Sequence, residues 1–300
     1  MPSRTDALDE PFDLVATLRP LARGTGDPTL RLAPGRAWRT YRTTAGPATV
    51  AIAQEGDRLS AEAWGPGADV ALDELPRVLG LDTGPWDVAD HHRLVSDLAR
   101  RHRGVRLTRT EAVLDSLVPA ILEQKVTGQE ARRAWRGLIA RYGEPAPGPA
   151  TFRLRLPPAP ERLAALPYYA FHPHGVERRR ADLIRLVAAR AAWFETIATL
   201  PLPDAYVRLT AVPGIGPWTA AEVAVRALGD PDAVSVGDFH LKNLVAYALA
   251  GEPRADDTRM LELLEPWRGE RAKVVRLLEL SGIAAPKYGP RLVPRRIEAM

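Results

Sequence analysis

The hydrophobic pattern divides the chain near residue 88 into two parts of different character. Before this point, two extended runs, Pro47–Ala53 and Arg58–Trp64, are joined by turn-prone residues 54–57, and apolar residues alternate along both. Alternation with a period of two predicts a β-hairpin with one buried face. A Gly-Pro-Gly break at 65–67 then precedes a predicted helix over Val70–Leu79. The pattern therefore predicts an α+β N-terminal domain over residues 1–88.

From residue 89 onward the apolar spacing becomes helical. One helix has apolar residues at 113, 114, 117, 118, 121 and 122. Thr110 is its candidate N-cap, and Pro119 should kink it or tighten one turn. Further helices are predicted over 176–194, 204–212, 218–228, 239–250, 258–264 and 270–280. The fold class is thus α+β, with two helical subdomains over 89–285 and an irregular tail over 286–300.

Composition excludes several kinds of chemistry. The 300-residue chain has no cysteine, which rules out disulfides, thiolate zinc sites, iron–sulfur clusters and a cysteine nucleophile. Among 41 basic residues the lysines are Lys125, Lys242, Lys273 and Lys287, so an amine-based mechanism has few candidates. The net charge of +4 is compatible with a polyanionic partner. Because no signal peptide or membrane-spanning run is found, we expect a cytoplasmic protein without a membrane partner.

Arginine is concentrated in two stretches. Residues 93–109 carry six arginines against one aspartate, and residues 178–190 carry five. Each stretch is either a solvated helix face or a surface that faces phosphate groups. The aromatic and histidine cluster Tyr168–His174 directly precedes the second stretch. This cluster, with His172 and His174, is a weak metal signal, and it predicts either a ligand-facing loop or ordinary surface packing.

The most informative segment lies at residues 209–224. A short helix ends near Val212, a tight turn follows, and a second helix begins at Pro217, where the missing N–H costs nothing. Gly214 and Gly216 permit positive φ and a close approach of another backbone, while Ile215 would plug between the helices. The N–H groups of this turn and of the following first helical turn predict an anion site suited to a phosphodiester. The alternative is an αα-corner that needs glycines for its shape alone.

Asp238 follows this segment by about twenty residues and directly precedes a predicted helix. An N-capping role would explain this aspartate completely. Its distance from the glycine turn favours a role beyond capping.

Together the two segments resemble the helix-hairpin-helix and the Gly/Pro-rich loop with an aspartate that define a superfamily of base-excision DNA glycosylases. Within it the chain is most similar to the 3-methyladenine DNA glycosylase II family. The resemblance implies that the hairpin grips DNA backbone and that Asp238 is catalytic. It also implies an N-terminal domain that resembles half of a TATA-binding-protein fold. The matching motifs are sharp at residues 120–127 and 209–243.

The resemblance also implies the site residues. The DNA-binding positions are Gln124, Lys125, Val126, Thr127, Pro213, Gly214, Ile215, Gly216 and Thr219. Trp218 and Trp267 are candidate walls of the base pocket, each with a core position as the alternative. Glu222 replaces a pocket aromatic, and it either adds an acceptor there or faces solvent. Lys125 stands where the family usually has an apolar wedge.

The backbone carbonyls of Thr210, Val212 and Ile215 match positions that often hold a monovalent cation, Na⁺ or K⁺, in the family. No other cofactor is expected.

Position 218 bears on the reaction class. Bifunctional members of the superfamily carry a lysine two residues after the second hairpin glycine, where this chain has Trp218. The resemblance therefore implies a monofunctional glycosylase without lyase activity, which flips a damaged, alkylated purine out of double-stranded DNA. Water attacks the sugar while Asp238 stabilises its positive charge. We expect a monomer. A non-catalytic lesion-sensing protein and a glycosylase for a deaminated or oxidised base are the alternatives.

Overall fold

The computed structural model describes residues 1–286, which form mixed α/β structure. The tail predicted over 286–300 therefore lies outside the described residues apart from Pro286, as does Lys287. The strands are β1 (Ser3–Ala7), β2 (Leu30–Ala33), β3 (Arg36–Thr43), β4 (Gly46–Glu55), β5 (Arg58–Trp64), β6 (Glu144–Pro145) and β7 (Arg155–Leu156). The helices are α1 (Leu14–Leu18), α2 (Ala68–Val78), α3 (Arg93–Arg101), α4 (Val113–Glu123), α5 (Gly128–Tyr142), α6 (Pro160–Ala165), α7 (Arg178–Ala189), α8 (Ala191–Glu195), α9 (Leu202–Thr210), α10 (Pro217–Val223), α11 (Leu241–Ala250), α12 (Asp257–Leu264) and α13 (Arg271–Leu280).

The N-terminal part is a five-stranded antiparallel sheet in the order β1-β5-β4-β3-β2. The predicted hairpin is confirmed as β4 and β5, with Val50 opposite Ala63 and Ile52 opposite Ala61. These side chains lie on one buried face against α2, which confirms the predicted helix within two residues. The N-terminal strand β1, which pairs with β5, carries no strong strand pattern and was not predicted.

Two further apolar clusters lie in the helical part. One surrounds α4, whose residues from 113 to 122 are buried except for Asp115, and includes α5, α7 and the helices around the glycine turn. The other is built from α3 and α11–α13 and includes Trp86 and Val88 from the preceding segment. The prediction that α4 packs in the core is confirmed, and the helix continues through Pro119. Within residues 1–286 no helix has the length and apolar character needed to cross a membrane.

The first turn of α4 is capped from a distant segment. The N-cap position is Ala112, so the prediction that Thr110 would cap this helix is wrong. Glu195 at the end of α8 instead accepts hydrogen bonds from the N–H groups of Val113 (2.7 Å) and Leu114 (3.0 Å). A carboxylate in this position satisfies two free donors and interacts favourably with the positive end of the helix.

A π-helical turn joins α10 to the segment before α4. The predicted helix over 218–228 is confirmed, but its second half, Ala224–Leu228, is π-helical. The Arg226 carbonyl accepts the Thr110 N–H (3.2 Å), and the Ala227 carbonyl accepts the Glu111 N–H (2.9 Å). Both carbonyls lie in the last turn of the helix, where no helical N–H follows to bond them, so they are available to the segment before α4.

Glu195 should make stability depend on pH. Burial raises its pKa to about 7, although the hydrogen bonds from Leu114 and Val113 oppose the rise. Since the folded pKa lies above the unfolded one, this contribution is fully present below pH about 4.5 and is lost as the pH rises through about 7. Between pH about 5 and about 8, we expect the free energy of unfolding of the wild type to fall by at most about 3 kcal/mol more than that of Glu195→Gln.

Urea unfolding of both proteins at pH about 5 and about 8 measures this difference. Glu161→Gln on the exposed side of α6 is the matched control and should follow the wild type at both pH values. Parallel pH profiles for the wild type and Glu195→Gln would contradict the assignment.

Candidate active site

The predicted glycine turn connects α9 to α10. Ile215 is buried between the helices, and its N–H donates to the Val212 carbonyl (3.0 Å). The N–H groups of Gly214 and Gly216 have no hydrogen-bond partner within residues 1–286. Pro213 and Gly214 are exposed. The turn thus combines a buried plug with backbone donors that are available to an external acceptor.

The two glycines of the turn differ in backbone conformation and in the space around them. Gly214 has φ of +99°, and a Cβ there would lie 2.9 Å from Cδ2 of Leu183 on α7. Gly216 has an extended conformation, φ −94° and ψ −178°, and a Cβ there would meet no atom within 4 Å. Gly214 thus uses the positive φ that glycine permits, whereas Gly216 does not, since the residue before a proline favours extended backbone.

The loop at residues 124–127 is fastened to this turn by Gln124. Its Nε2 donates to the Gly214 carbonyl (2.9 Å) and to Thr219 Oγ1 (3.0 Å). Lys125 is exposed and has φ of +55°, a left-handed conformation that is uncommon for a residue with a side chain. Val126 follows, half-buried, and Thr127 begins α5 with a capping box. The structure therefore places the loop and the turn side by side, with Lys125, Pro213 and Gly214 exposed, whereas the predicted DNA-binding residues Ile215 and Thr219 are buried.

Asp238 lies beside Trp218, with its two carboxylate oxygens engaged differently. Oδ1 accepts the backbone N–H groups of His240 (2.7 Å) and Leu241 (2.8 Å) at the start of α11. Oδ2 accepts the indole N–H of Trp218 at 3.3 Å. The helix thus fixes one oxygen, and the half-buried carboxylate presents the other beside an aromatic ring.

Glu222 supports the loop that carries Asp238. Its Oε2 accepts from Arg226 Nη1 (2.6 Å), and its Oε1 accepts from the Ser235 hydroxyl (2.5 Å). Burial raises the pKa of Glu222, but the Arg226 charge and the Ser235 and Arg226 hydrogen bonds outweigh it and hold the pKa below its usual value. Arg226 also donates to the Pro20 carbonyl (3.0 Å). Glu222 is therefore engaged by Arg226 and Ser235 and is only slightly exposed. This position matches neither of the two alternatives considered from the sequence, an acceptor in the base pocket or a solvated side chain.

Trp267 lies in the core rather than beside a cleft. It is 4% exposed, its Nε1 donates to the Ala89 carbonyl (2.8 Å), and its ring meets His91 edge-to-face at 5.7 Å. Protein therefore covers the ring in this structure, and it is not available to a stacked base.

Phe239 is an aromatic residue that the sequence reasoning missed. It directly follows Asp238, is 69% exposed, and its ring contacts the His240 ring edge-to-face at 5.0 Å. The signal was the aromatic residue next to the aspartate, but the helix predicted from residue 239 assigned it to regular structure. The observed helix begins at Leu241, which leaves Phe239 in the loop.

The described lysines differ in their surroundings. Lys242 pairs with Asp257 at 3.7 Å, and Lys273 pairs with Glu270. Lys125 is the exposed lysine of the loop beside the turn. None of these three stands at the position of Trp218, which contacts the Asp238 carboxylate.

The residues considered for metal binding lie in different surroundings. Between residues 1 and 286 no group of three or more His, Asp or Glu side chains is arranged to hold an ion. His174 packs edge-to-face on Tyr142 (5.9 Å), and burial, together with Arg141, lowers the pKa of His174. The Val212 carbonyl, one of three proposed for a monovalent cation with Thr210 and Ile215, already accepts the Ile215 N–H and keeps a second lone pair.

Bacterial proteins with repair names resemble this chain in sequence. A Mycobacterium tuberculosis protein named "Probable bifunctional transcriptional activator/DNA repair enzyme AlkA" is 31% identical over 170 residues, which cover 55% of this chain and 34% of that protein. The chain therefore spans about a third of the length of the first relatives it matches. DNA-3-methyladenine glycosylase 2 of Escherichia coli is 28% identical over 208 residues, or 68% of this chain and 70% of that one. No protein-family model matches the sequence.

Solved structures resemble nearly the whole chain. The 3-methyladenine DNA-glycosylase of Archaeoglobus fulgidus superimposes with a TM-score of 0.77, at 18% identity, over 92% of this chain and 97% of that one. The resemblance to the helix-hairpin-helix DNA glycosylases is confirmed. An 8-oxoguanine glycosylase/lyase of Clostridium acetobutylicum has the same fold, with a TM-score of 0.70 at 12% identity over 93% and 96% of the two chains. Because a protein named as a glycosylase and one named as a glycosylase/lyase share this fold, the fold alone does not decide between these activities.

The two glycines of the hairpin should respond differently to substitution. We expect Gly214→Val to destabilise the protein by about 1–3 kcal/mol or more, because it forces a branched residue into positive φ against Leu183. Gly216→Val should change stability by less than about 0.5 kcal/mol, because its backbone is extended and the space is open. Thermal unfolding of both variants tests this, and equal losses would contradict the geometry.

Proposed function

We propose that the protein is a DNA glycosylase that hydrolyses the N-glycosidic bond of a damaged, alkylated purine in base-excision repair. The observation that carries the proposal is the contact between Asp238 and Trp218, which follows a hairpin with free backbone donors. An aspartate alone at a helix start would be a cap, and a hairpin alone would be a binding module. Both lie in one chain with the glycosylase fold.

The hairpin and the loop at 124–127 would bind the DNA backbone. The free N–H groups of Gly214 and Gly216 suit phosphate oxygens, and Lys125 adds a positive charge from the adjoining loop. These groups recognise no base edge, so binding would be indifferent to sequence. Lys125, already held in an exposed left-handed conformation, would take the position beside the flipped nucleotide.

Asp238 would supply the chemistry. Breaking the bond between base and sugar develops positive charge on the deoxyribose, which an ionised carboxylate stabilises. Oδ2 lies on the side of Trp218, whereas Oδ1 is held by two backbone donors, so the group is oriented before DNA arrives. Water would act as the nucleophile. Lyase activity is not expected, because Trp218 occupies the position of the amine and Lys242 pairs with Asp257.

The damaged base would stack on aromatic side chains. Trp218 lies beside the carboxylate, and the exposed Phe239 follows it in the same loop. An alkylated purine can carry positive charge, which favours the electron-rich face of an aromatic ring. Both rings are accessible, whereas Trp267 is buried, so we place the stacking role on Trp218 and Phe239.

Several expectations remain part of this proposal. They comprise a monomer that acts on double-stranded DNA, an N-terminal domain resembling half of a TATA-binding-protein fold, and a monovalent cation at the hairpin carbonyls. The domain limits at residues 88 and 285 belong to the same group.

Asp238→Asn should abolish base release while leaving the fold intact. The asparagine Oδ1 can still accept both backbone N–H groups, since Asn caps helices about as well as Asp. The lost negative charge should lower the single-turnover rate about 100-fold or more. The measurement is release of alkylated purines from methylated duplex DNA, together with thermal unfolding.

Asp256→Asn is the matched control, because Asp256 also accepts a backbone N–H at the start of a helix, that of Arg259 in α12 (2.8 Å). Its activity should equal that of the wild type. Undiminished release by Asp238→Asn would remove Asp238 from the mechanism. A wild type that binds DNA but releases no alkylated, deaminated or oxidised base would instead indicate a lesion-sensing protein.

Gly216→Val should weaken DNA binding without destabilising the fold. Its side chain would enter the open space in front of the hairpin, where the phosphodiester would approach. We expect affinity to fall about tenfold and by the same factor for duplexes of different base sequence. Fluorescence anisotropy measures this, with Ala45→Val in the exposed turn between β3 and β4 as the control. A sequence-selective loss would contradict backbone recognition.

A further inference from the structure

The first two turns of α7 lie directly against the hairpin and the adjoining loop. Arg180 is buried and donates from Nη1 to the Leu122 carbonyl (2.7 Å), just before the loop at 124–127. One turn further along α7, Leu183 is the side chain that a Cβ at Gly214 would touch. Since Gln124 also joins the loop to Gly214, the three segments form one continuous surface.

Arg179 is the exposed cation of α7 that adjoins this surface. It lies four residues before Leu183, one helical turn away on the same side of the helix. The neighbouring Arg178 and Arg185 share Asp182, at 3.5 Å and 3.1 Å. The Arg179 side chain has no ion-pair or hydrogen-bond partner in the described part of the chain. Its charge is therefore not neutralised by the protein.

Two tyrosines lie next to Arg178 at the start of α7. The Arg178 guanidinium stacks over the Tyr168 ring, 4.7 Å from its centre, and Tyr168 meets Tyr169 edge-to-face at 5.9 Å. Tyr169 is 66% exposed. Large aromatic side chains exposed beside arginines indicate a binding surface rather than core packing. We call the four residues Tyr168, Tyr169, Arg178 and Arg179 the α7 flank.

We propose that the α7 flank is a second DNA contact, which binds the phosphodiester backbone of the duplex to one side of the damaged nucleotide. The proposal rests on the glycosylase function proposed above and adds a surface to it. Continuity with the hairpin argues for the same ligand, and the uncompensated charge of Arg179 suits a polyanion. From Leu183 to Arg178 the helix rises about 8 Å, so the flank would reach two or three base pairs beyond the hairpin phosphates.

Salt dependence of DNA binding tests the α7 flank. The probe is a duplex with a tetrahydrofuran abasic-site analogue and a full helical turn on either side, titrated by fluorescence anisotropy at several salt concentrations. Arg179→Ala should weaken binding roughly fivefold on any base sequence and reduce the slope of log affinity against log salt by about 0.9. Arg179→Lys retains the charge and should keep most of that slope. Tyr169→Ala should weaken binding with the slope unchanged.

Duplex length gives a second, independent readout. When the duplex is shortened to within about three base pairs of the site, first on one side and then on the other, the Arg179→Ala defect should vanish for one truncation only. Arg93→Ala is the control, because the Arg93 side chain is 96% exposed on α3, in the cluster with α13. It should leave affinity and slope unchanged.

Three results would overturn the α7 flank while leaving the glycosylase proposal standing. They are an unchanged slope for Arg179→Ala, an equal effect of Arg93→Ala, and a defect that survives both truncations. Unchanged DNA binding would leave an acidic protein partner as the better ligand for this surface. Failure of the wild type to bind the abasic duplex at all would instead contradict the proposed function itself.

Discussion

The ion pair between Glu222 and Arg226, whose side chains are 14% and 16% exposed, is the interaction on which the candidate site depends. It ties the helix after the hairpin to Ser235 in the Asp238 loop, and to Pro20 in the N-terminal part. Removing one member of such a largely buried pair leaves the other charge without its partner, which costs up to about 3–5 kcal/mol. The loop that carries Asp238 is therefore positioned by a residue on another helix. Glu222 thus supports the loop that carries the proposed catalytic residue.

How much could be predicted from the sequence depended on the distance between partners. The β4–β5 hairpin, the glycine turn and the backbone hydrogen bonds that Asp238 accepts are local, so the spacing of a few residues predicts them. The cap of α4 comes from Glu195, and the support of Asp238 comes from Glu222. Neither partner has a local signature, because any buried carboxylate could serve. Trp267, a candidate wall of the base pocket, is instead buried, and apolar periodicity cannot distinguish a buried tryptophan from one that lines a cleft.

The two interpretations of Asp238 prove compatible at the level of atoms. A carboxylate has two oxygens, and here the backbone donors of α11 hold Oδ1 while Oδ2 lies next to Trp218. These backbone hydrogen bonds would supply the rigidity that a charge needs in order to stabilise a transition state without reorganisation. Binding the start of α11 is thus part of the proposed catalytic geometry rather than an alternative to it. The fold that this chain shares with a glycosylase and with a glycosylase/lyase does not by itself distinguish the two activities.

The π-helical turn at Ala224–Leu228 has a consequence for how this region can change in evolution. Such a turn amounts to one extra residue in a helix, and here it lies in the last turn, whose carbonyls at Arg226 and Ala227 accept the N–H groups of Thr110 and Glu111. Losing that residue would restore a regular helix but turn both acceptors away from the segment that leads into α4. The same deletion would rotate Arg226 away from Glu222 by about 100°. The length of this helix is thus fixed by its neighbours, and substitutions are tolerated here more readily than insertions or deletions.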